Sequence, residues 1–319
     1  MKKVTSKYKE YPTTVGIEYA LVAKNKNPEI DLEADLRLCN TAIEINKKYK
    51  KHKKWGKNIY NDCKCELGAL ELSSTPVNSL SSVISFYEYA NSVFSYGESF
   101  SGYKFVANTT YKGIYIEGGG GHIHLGLPND EAKNNEILRW NLSLFMLANP
   151  LIQWCMSEWC DDCILTSTYY NAFQNENKCK ISQFSSELLI KFLDHYAGDW
   201  GRGPTQIRIN EFSCLKPATN TIEFRCFAAP TSLQHMIDNI DICLSIWEFV
   251  KKQNLLYELY PLGSVKKIEE YSNMINVEKE WEILIKTLDL SYERYSKYLK
   301  NFYARKKHGI LFSNKFAGI

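Results

Sequence analysis

The sequence predicts an α+β fold, an antiparallel sheet with helices on one face and a polar cleft on the other. Three observations lead there. Five segments alternate apolar and polar residues with the two-residue period of a strand, and stretches of helical period separate them. The polar positions of those five segments carry Glu18, Glu71, His122 with His124, Arg208 with Asn210, and Glu223 with Arg225. The chain of 319 residues is long enough to bury a sizeable core beneath such a sheet.

Residues 1–11 are basic and polar and form an edge or flexible segment. Residues 14–23 form the first strand, with Val15, Ile17, Tyr19 and Leu21 on one face and Gly16, Glu18 and Ala20 on the other. A carboxylate there is costly unless it is paired, bound to a cation or turned to solvent. A polar turn follows, then a helix over 31–54 with Leu32, Leu36, Cys39 and Ile43 as its apolar stripe. The lysine-rich end, 47–57, is a solvated face that also suits the negative end of the helix dipole. Leu70 to Ser73 alternate again, with Glu71 opposite the two leucines, and Pro76 ends that strand. An amphipathic helix over 78–95 leads to strands over 103–108 and 114–116.

Gly118 to Gly126 then reads Gly-Gly-Gly-Gly-His-Ile-His-Leu-Gly. Glycines allow a close approach that a Cβ would block. His122 and His124 share one strand face, Ile123 and Leu125 the other. Two imidazoles beside a bare backbone suit a metal ion or a phosphate, which makes Gly119, Gly120 and Gly121 candidate cofactor-binding residues. The plainer reading is a glycine turn entering a strand with two partly exposed histidines.

A long apolar helix spans 134–159 and breaks near Asn149 and Pro150. Residues 161–180 are irregular, 183–196 helical, and 198–204 a glycine-rich loop holding Arg202. Gln206, Arg208 and Asn210 alternate with Ile207 and Ile209, and Thr221, Glu223 and Arg225 with Ile222, Phe224 and Cys226. Pro230 precedes a helix over 232–253, and the chain from Tyr257 is mostly helical and charged. There is no internal repeat and no low-complexity linker.

A net charge of +3 does not argue for nucleic acid or a membrane as partner. No apolar run is long enough to span a bilayer, and the N-terminus has no apolar signal region, which points to a cytoplasmic protein. The 10 cysteines are then reduced. Cys63 with Cys65 and Cys160 with Cys163 do not complete a zinc pattern, so buried small hydrophobes are the better reading.

On one sheet face the polar groups would line a cleft with three carboxylates, two imidazoles and two guanidinium groups. Carboxylates with histidine suit Mg²⁺ or Mn²⁺, and arginines suit phosphate or carboxylate oxygens. Together they meet the needs of phosphoryl transfer, in which positioning and charge neutralisation do most of the catalysis. No P-loop pattern is present. The competing reading is a solvated face with scattered ion pairs.

These segments resemble the amidoligase family, carboxylate–amine ligases that share the glutamine synthetase fold, with the glutamate–cysteine ligases behind it. Val15-Gly16-Ile17-Glu18 resembles the family's opening strand, and Asp62 to Pro76 its Asp…Glu-Leu-x-Ser-Pro segment. Gly119 to Gly126 resembles its Gly-x-His-x-His strand. Asn149-Pro150 is similar to a later helix, and Arg208-Ile-Asn210 with Thr221 to Phe227 to the closing block. The ordered set spans 12–255, leaving 256–319 as a helical C-terminal extension. The resemblance implies a curved sheet cradling ATP and two divalent cations, Mg²⁺ or Mn²⁺. Glu18, Glu71, His122, His124 and Glu223 would ligate metal. Arg225, Arg208 and Arg202, with Asn210 and the glycines, would hold phosphate or substrate, and Arg225, Glu223 and Arg208 would be catalytic. It implies an amide-forming reaction through an acyl phosphate, on a small-molecule or peptide carboxylate and an amine. The family's first strand usually carries a second Glu, and here that position is Ala20. Either fewer ions bind, or the chain is a non-catalytic ligase fold with a binding or structural role. A guanidino-type phosphotransferase is a third reading. The oligomeric state stays open.

Overall fold

The computed structural model of the chain describes residues 4–24, 32–50, 60–66, 69–111, 114–118, 120–126, 145, 149, 151–156, 207–209, 221–224, 227, 229–252 and 276–307. The fold is α+β. The chain divides into two compact units, one formed from Met1–Gly126, Glu158–Asp162 and Phe227–Asp241, the other from Leu127–Ser157, Cys163–Cys226 and Ile242–Ile319.

The first unit is built around β1 (Glu10–Lys24), flanked by β3 (Ala69–Ser74) on one side and β8 (Ile123–Gly126) on the other. Beyond β3 lies β2 (Tyr60–Glu66), and every pairing is antiparallel. Short strands β4 (Val77–Ser79) and β5 (Lys104–Val106) pair with the two ends of β1. β6 (Asn108–Tyr111) and β7 (Ile114–Gly118) form a separate hairpin.

Alternation along β1 sorts its side chains by face. Val15, Ile17, Tyr19 and Leu21 are buried, as are Leu70 and Leu72 on β3. Two helices cover this apolar face: α1 (Leu32–Lys50) and α2 (Leu80–Ser101). Phe94 of α2 meets the Tyr19 ring edge-on, with centroids 5.3 Å apart. A Cβ on Gly97 would lie 3.3 Å from Ile45 of α1 and 3.4 Å from Leu70 of β3, so α2 needs a small residue there to seat itself. Ser79 caps the start of α2 and Gly102, in the left-handed conformation, ends it.

The apolar stripe expected on α1 is a correction. Leu36 is 63% exposed and Ile43 50% exposed, and Cys39 is exposed too, while Leu38, Thr41, Ala42 and Ile45 face the core. The helix carries two candidate apolar stripes, and contact with β2 and α2 decides between them. Asn46 reinforces that choice: its side chain accepts from the Cys63 N–H at 3.0 Å and donates to the Cys63 carbonyl at 2.7 Å.

The N-terminal residues are strapped to the start of α4 (Leu233–Lys251). Gln234 exchanges hydrogen bonds with the Thr5 backbone, and Asp241 accepts from Ser6 Oγ and the Lys7 N–H, each at 2.8 Å.

In the second unit, β9 (Ile207–Ile209) and β10 (Thr221–Phe224) form an antiparallel pair, with Glu223 opposite Arg208. Its helices are α3 (Leu151–Met156), α5 (Val277–Thr287), α6 (Tyr292–Tyr295) and α7 (Leu299–Lys307), together with the C-terminal half of α4. Trp281 is fully buried and donates its indole N–H to the Tyr295 carbonyl at 3.1 Å, and Asn301 ties α7 to the Cys155 carbonyl at 2.7 Å. Within 276–307 the chain is mostly helical, and the rest of the expected C-terminal extension, 256–275 and 308–319, lies outside the described residues. Among the described residues no helix is long and apolar enough to cross a membrane.

Candidate metal centre

The face of the first sheet opposite α1 and α2 takes the even-numbered residues of β1. Register then decides which groups meet. Gly16 pairs with His124, Glu18 with Ser73, and Ala20 with Glu71. The Glu18 N–H donates to the His122 carbonyl at 3.0 Å and the Ala20 N–H to the Gly120 carbonyl at 2.9 Å, which carries the β8 side of the ladder past the strand's formal end. Across the face run two rows: His122, Glu18, Ser73 and Asp62, then Gly120, Ala20, Glu71 and Lys64.

The first row concentrates the chemistry. The Glu18 carboxylate lies between two imidazoles, with Oε2 at 2.9 Å from His122 Nδ1 and Oε1 at 3.1 Å from His124 Nε2. Burial pushes the Glu18 carboxyl up, but hydrogen bonding and charge from His122 and His124 outweigh it and hold the group well below the usual carboxylate range. Glu18 is thus ionised and aimed.

Two glycine positions make room for the rings. A Cβ on Gly120 would lie 3.0 Å from His122 Nε2, and one on Gly16 would lie 3.2 Å from His124 Cβ. The glycine run therefore admits the imidazoles against bare backbone. The Gly121 N–H donates to the Phe227 carbonyl at 3.0 Å, so that donor serves the fold.

These donors fit a small divalent cation. Two ligands at right angles on an ion with bonds of about 2.1 Å stand about 3 Å apart. The contact of Glu18 Oε1 with His124 Nε2, 3.1 Å, matches that spacing. The carboxylate oxygen suits Mg²⁺ or Mn²⁺, and the imidazole nitrogen beside it inclines the pair towards a transition ion.

The remaining predicted site residues divide. Glu71 is on the same face as Glu18, buried, with Oε1 4.0 Å from Lys64 Nζ. Lys64 and its strand β2 are what the sequence reading lacked; the Asp-Cys-Lys-Cys alternation across from Leu70 to Ser73 was the available signal. Glu223 is buried on β10. For Arg208 the backbone position is described and the side chain is not. Gly119, Arg202, Asn210 and Arg225 lie outside the described residues.

No family model matches the sequence, and no curated protein matches it. Among solved structures the chain is similar to a novel glutamine synthase homolog, at 12% identity and a TM-score of 0.45, over 93% of this chain and 66% of that one. It is similar to GmaS without ligand, at 13% identity and a TM-score of 0.44, over 94% and 70%. A third likeness is to the complex of the ubiquitin-like protein Pup with its ligase PafA, at 9% identity and a TM-score of 0.41, over 92% and 64%. The chain spans about two thirds of the length of these proteins.

Proposed function

We propose that the protein is an ATP-dependent carboxylate–amine ligase that forms an amide or peptide-like bond through an acyl phosphate. The observation that carries this reading is the ionised Glu18 carboxylate held between two imidazoles on a glycine-lined sheet face.

Glu18 and His124, a carboxylate and an imidazole of the first unit, would hold a Mg²⁺ or Mn²⁺ ion. When bound, the ion supplies positive charge for a transferring phosphoryl group. His122 orients Glu18 through Nδ1, and Gly120 leaves the room that the His122 ring occupies. Arg208, Arg225 and Arg202 would hold phosphate or carboxylate oxygens in bidentate fashion, with Arg225 facing charge developed in phosphoryl transfer. No covalent enzyme nucleophile is needed. The substrates would be a small-molecule or peptide carboxylate and an amine.

A second reading, a ligase fold without turnover, is favoured by Ala20, which packs with Val22, Ala69 and Val106 instead of offering a ligand. ADP release separates the two. Purified protein with Mn²⁺ or Mg²⁺ and ATP is assayed against pools of amino acids, polyamines and short peptides, beside Glu223→Ala. Release that needs both metal and a pool, and is lost in the variant, supports the ligase. No release with any pool, and no metal-dependent ATP binding, overturns it.

A further inference from the structure

The second row of the polar face has a charge arrangement of its own. Glu71 is buried, and a buried carboxylate needs a compensating charge. Its cross-strand neighbours differ sharply. On β1 stands Ala20, which has no donor atom and belongs to an apolar cluster with Val22, Ala69 and Val106. On β2 stands Lys64, in register with Glu71 and with its ammonium 4.0 Å from the carboxylate. Two residues before Lys64, Asp62 points to the same face, and its Oδ1 is buried without a hydrogen-bond partner among the described residues. The first row pairs its carboxylate with imidazoles, which can pass it to a metal ion. The second row pairs its carboxylate with a fixed cation carried by the chain.

We propose that the Lys64 ammonium occupies the cation position of the Ala20–Glu71 row, so that this face takes one divalent cation, at Glu18 and His124, and not two. Lys64 is then a positioning residue, tethering Glu71 and excluding a second ion by charge. The inference rests on the metal-binding part of the reading above and sets its stoichiometry. Lysine suits the role because its ammonium is a compact charge on a long stem, and here the stem reaches from a half-exposed position to a buried partner.

The test is Mn²⁺ stoichiometry, read from the loss of the free-ion EPR signal on titration of the metal-free full chain without nucleotide. Wild type is expected to take up one Mn²⁺ per chain, Lys64→Arg one, and Lys64→Met two, the second more weakly, because Glu71 and Asp62 are left without the ammonium. Circular dichroism confirms that the variants are folded; Lys64 is half-exposed, so its replacement leaves the core intact. Two ions in wild type, or one in Lys64→Met, overturns the proposal and leaves the Glu18 site standing. No ion in wild type overturns both.

Discussion

Glu18 and His122 are joined twice, by the backbone at 3.0 Å from the Glu18 N–H to the His122 carbonyl and by the side chains at 2.9 Å. The backbone bond sets the register, and the side-chain bond aims the carboxylate. His122→Ala therefore keeps the sheet and loses the aim. Mn²⁺ affinity should fall by about 10–100-fold, the usual cost of removing a group that orients a ligand. Titration by EPR or calorimetry measures it, and an unchanged affinity would remove His122 from the site.

Gly120→Ala tests the close approach from the other side. The new Cβ would meet His122 Nε2 at 3.0 Å and turn the ring away from Glu18. The expected result is weaker Mn²⁺ binding with the far-ultraviolet dichroism of wild type. Gly121→Ala, one residue on, should have a smaller effect on Mn²⁺ affinity.

Acid should reveal how Glu18 is held. Its folded pKa lies below the unfolded value, so its contribution is present above the ordinary carboxylate pKa of about 4.3 and is lost as the pH falls through the folded value. In urea unfolding of the metal-free protein, wild type should exceed Glu18→Gln in stability near neutral pH, and the gap should narrow as the pH is taken down towards 3. A gap that widens as the pH falls from about 4.3 towards 3 has the wrong sign for this arrangement.

Gly102 ends α2 at φ 78° with open space around it, so a side chain there meets strain from the backbone alone. Gly102→Ala should cost about 1 kcal/mol in a denaturant midpoint measurement, and Gly102→Asn less.

Asp241 holds the N-terminal strap through Ser6 and Lys7. Asp241→Asn keeps the shape and removes the charge. Amide exchange at residues 5–8 should accelerate while the strands of the first sheet stay protected.

Strict alternation made the polar face legible. Val15 to Ala20 and His122 to Leu125 each put their ionisable residues on one side, and antiparallel register then brought Glu18 and both histidines together. Where the pattern admits two answers, sequence alone chose poorly. On α1, both Leu36–Cys39–Ile43 and Leu38–Ala42–Ile45 satisfy helical spacing, and the tertiary partners bury the second. The β2 strand escaped because Asp62-Cys-Lys-Cys-Glu66 has few branched or aromatic residues, and its pairing with β3 supplies what propensity lacks. Lys64 went unnoticed with it. The expectations for Arg202, Asn210 and Arg225 stay as the motif left them, since those residues lie outside the described part of the chain.

The interleaving of the first unit has a consequence for biosynthesis. Its strands are complete by Gly126, yet Gly121 closes on Phe227, Tyr19 on Pro230, and Thr5 on Gln234, 229 residues away. A nascent chain that has exposed β1 and β8 must wait on the order of ten seconds for the ribosome to deliver the helix that completes them. During that interval the segment leading into β8 offers the Gly121 N–H, destined for Phe227, to any competing partner. A fragment stopped at Gly126 keeps that vulnerability permanently, so soluble expression should require the chain at least through Asp241.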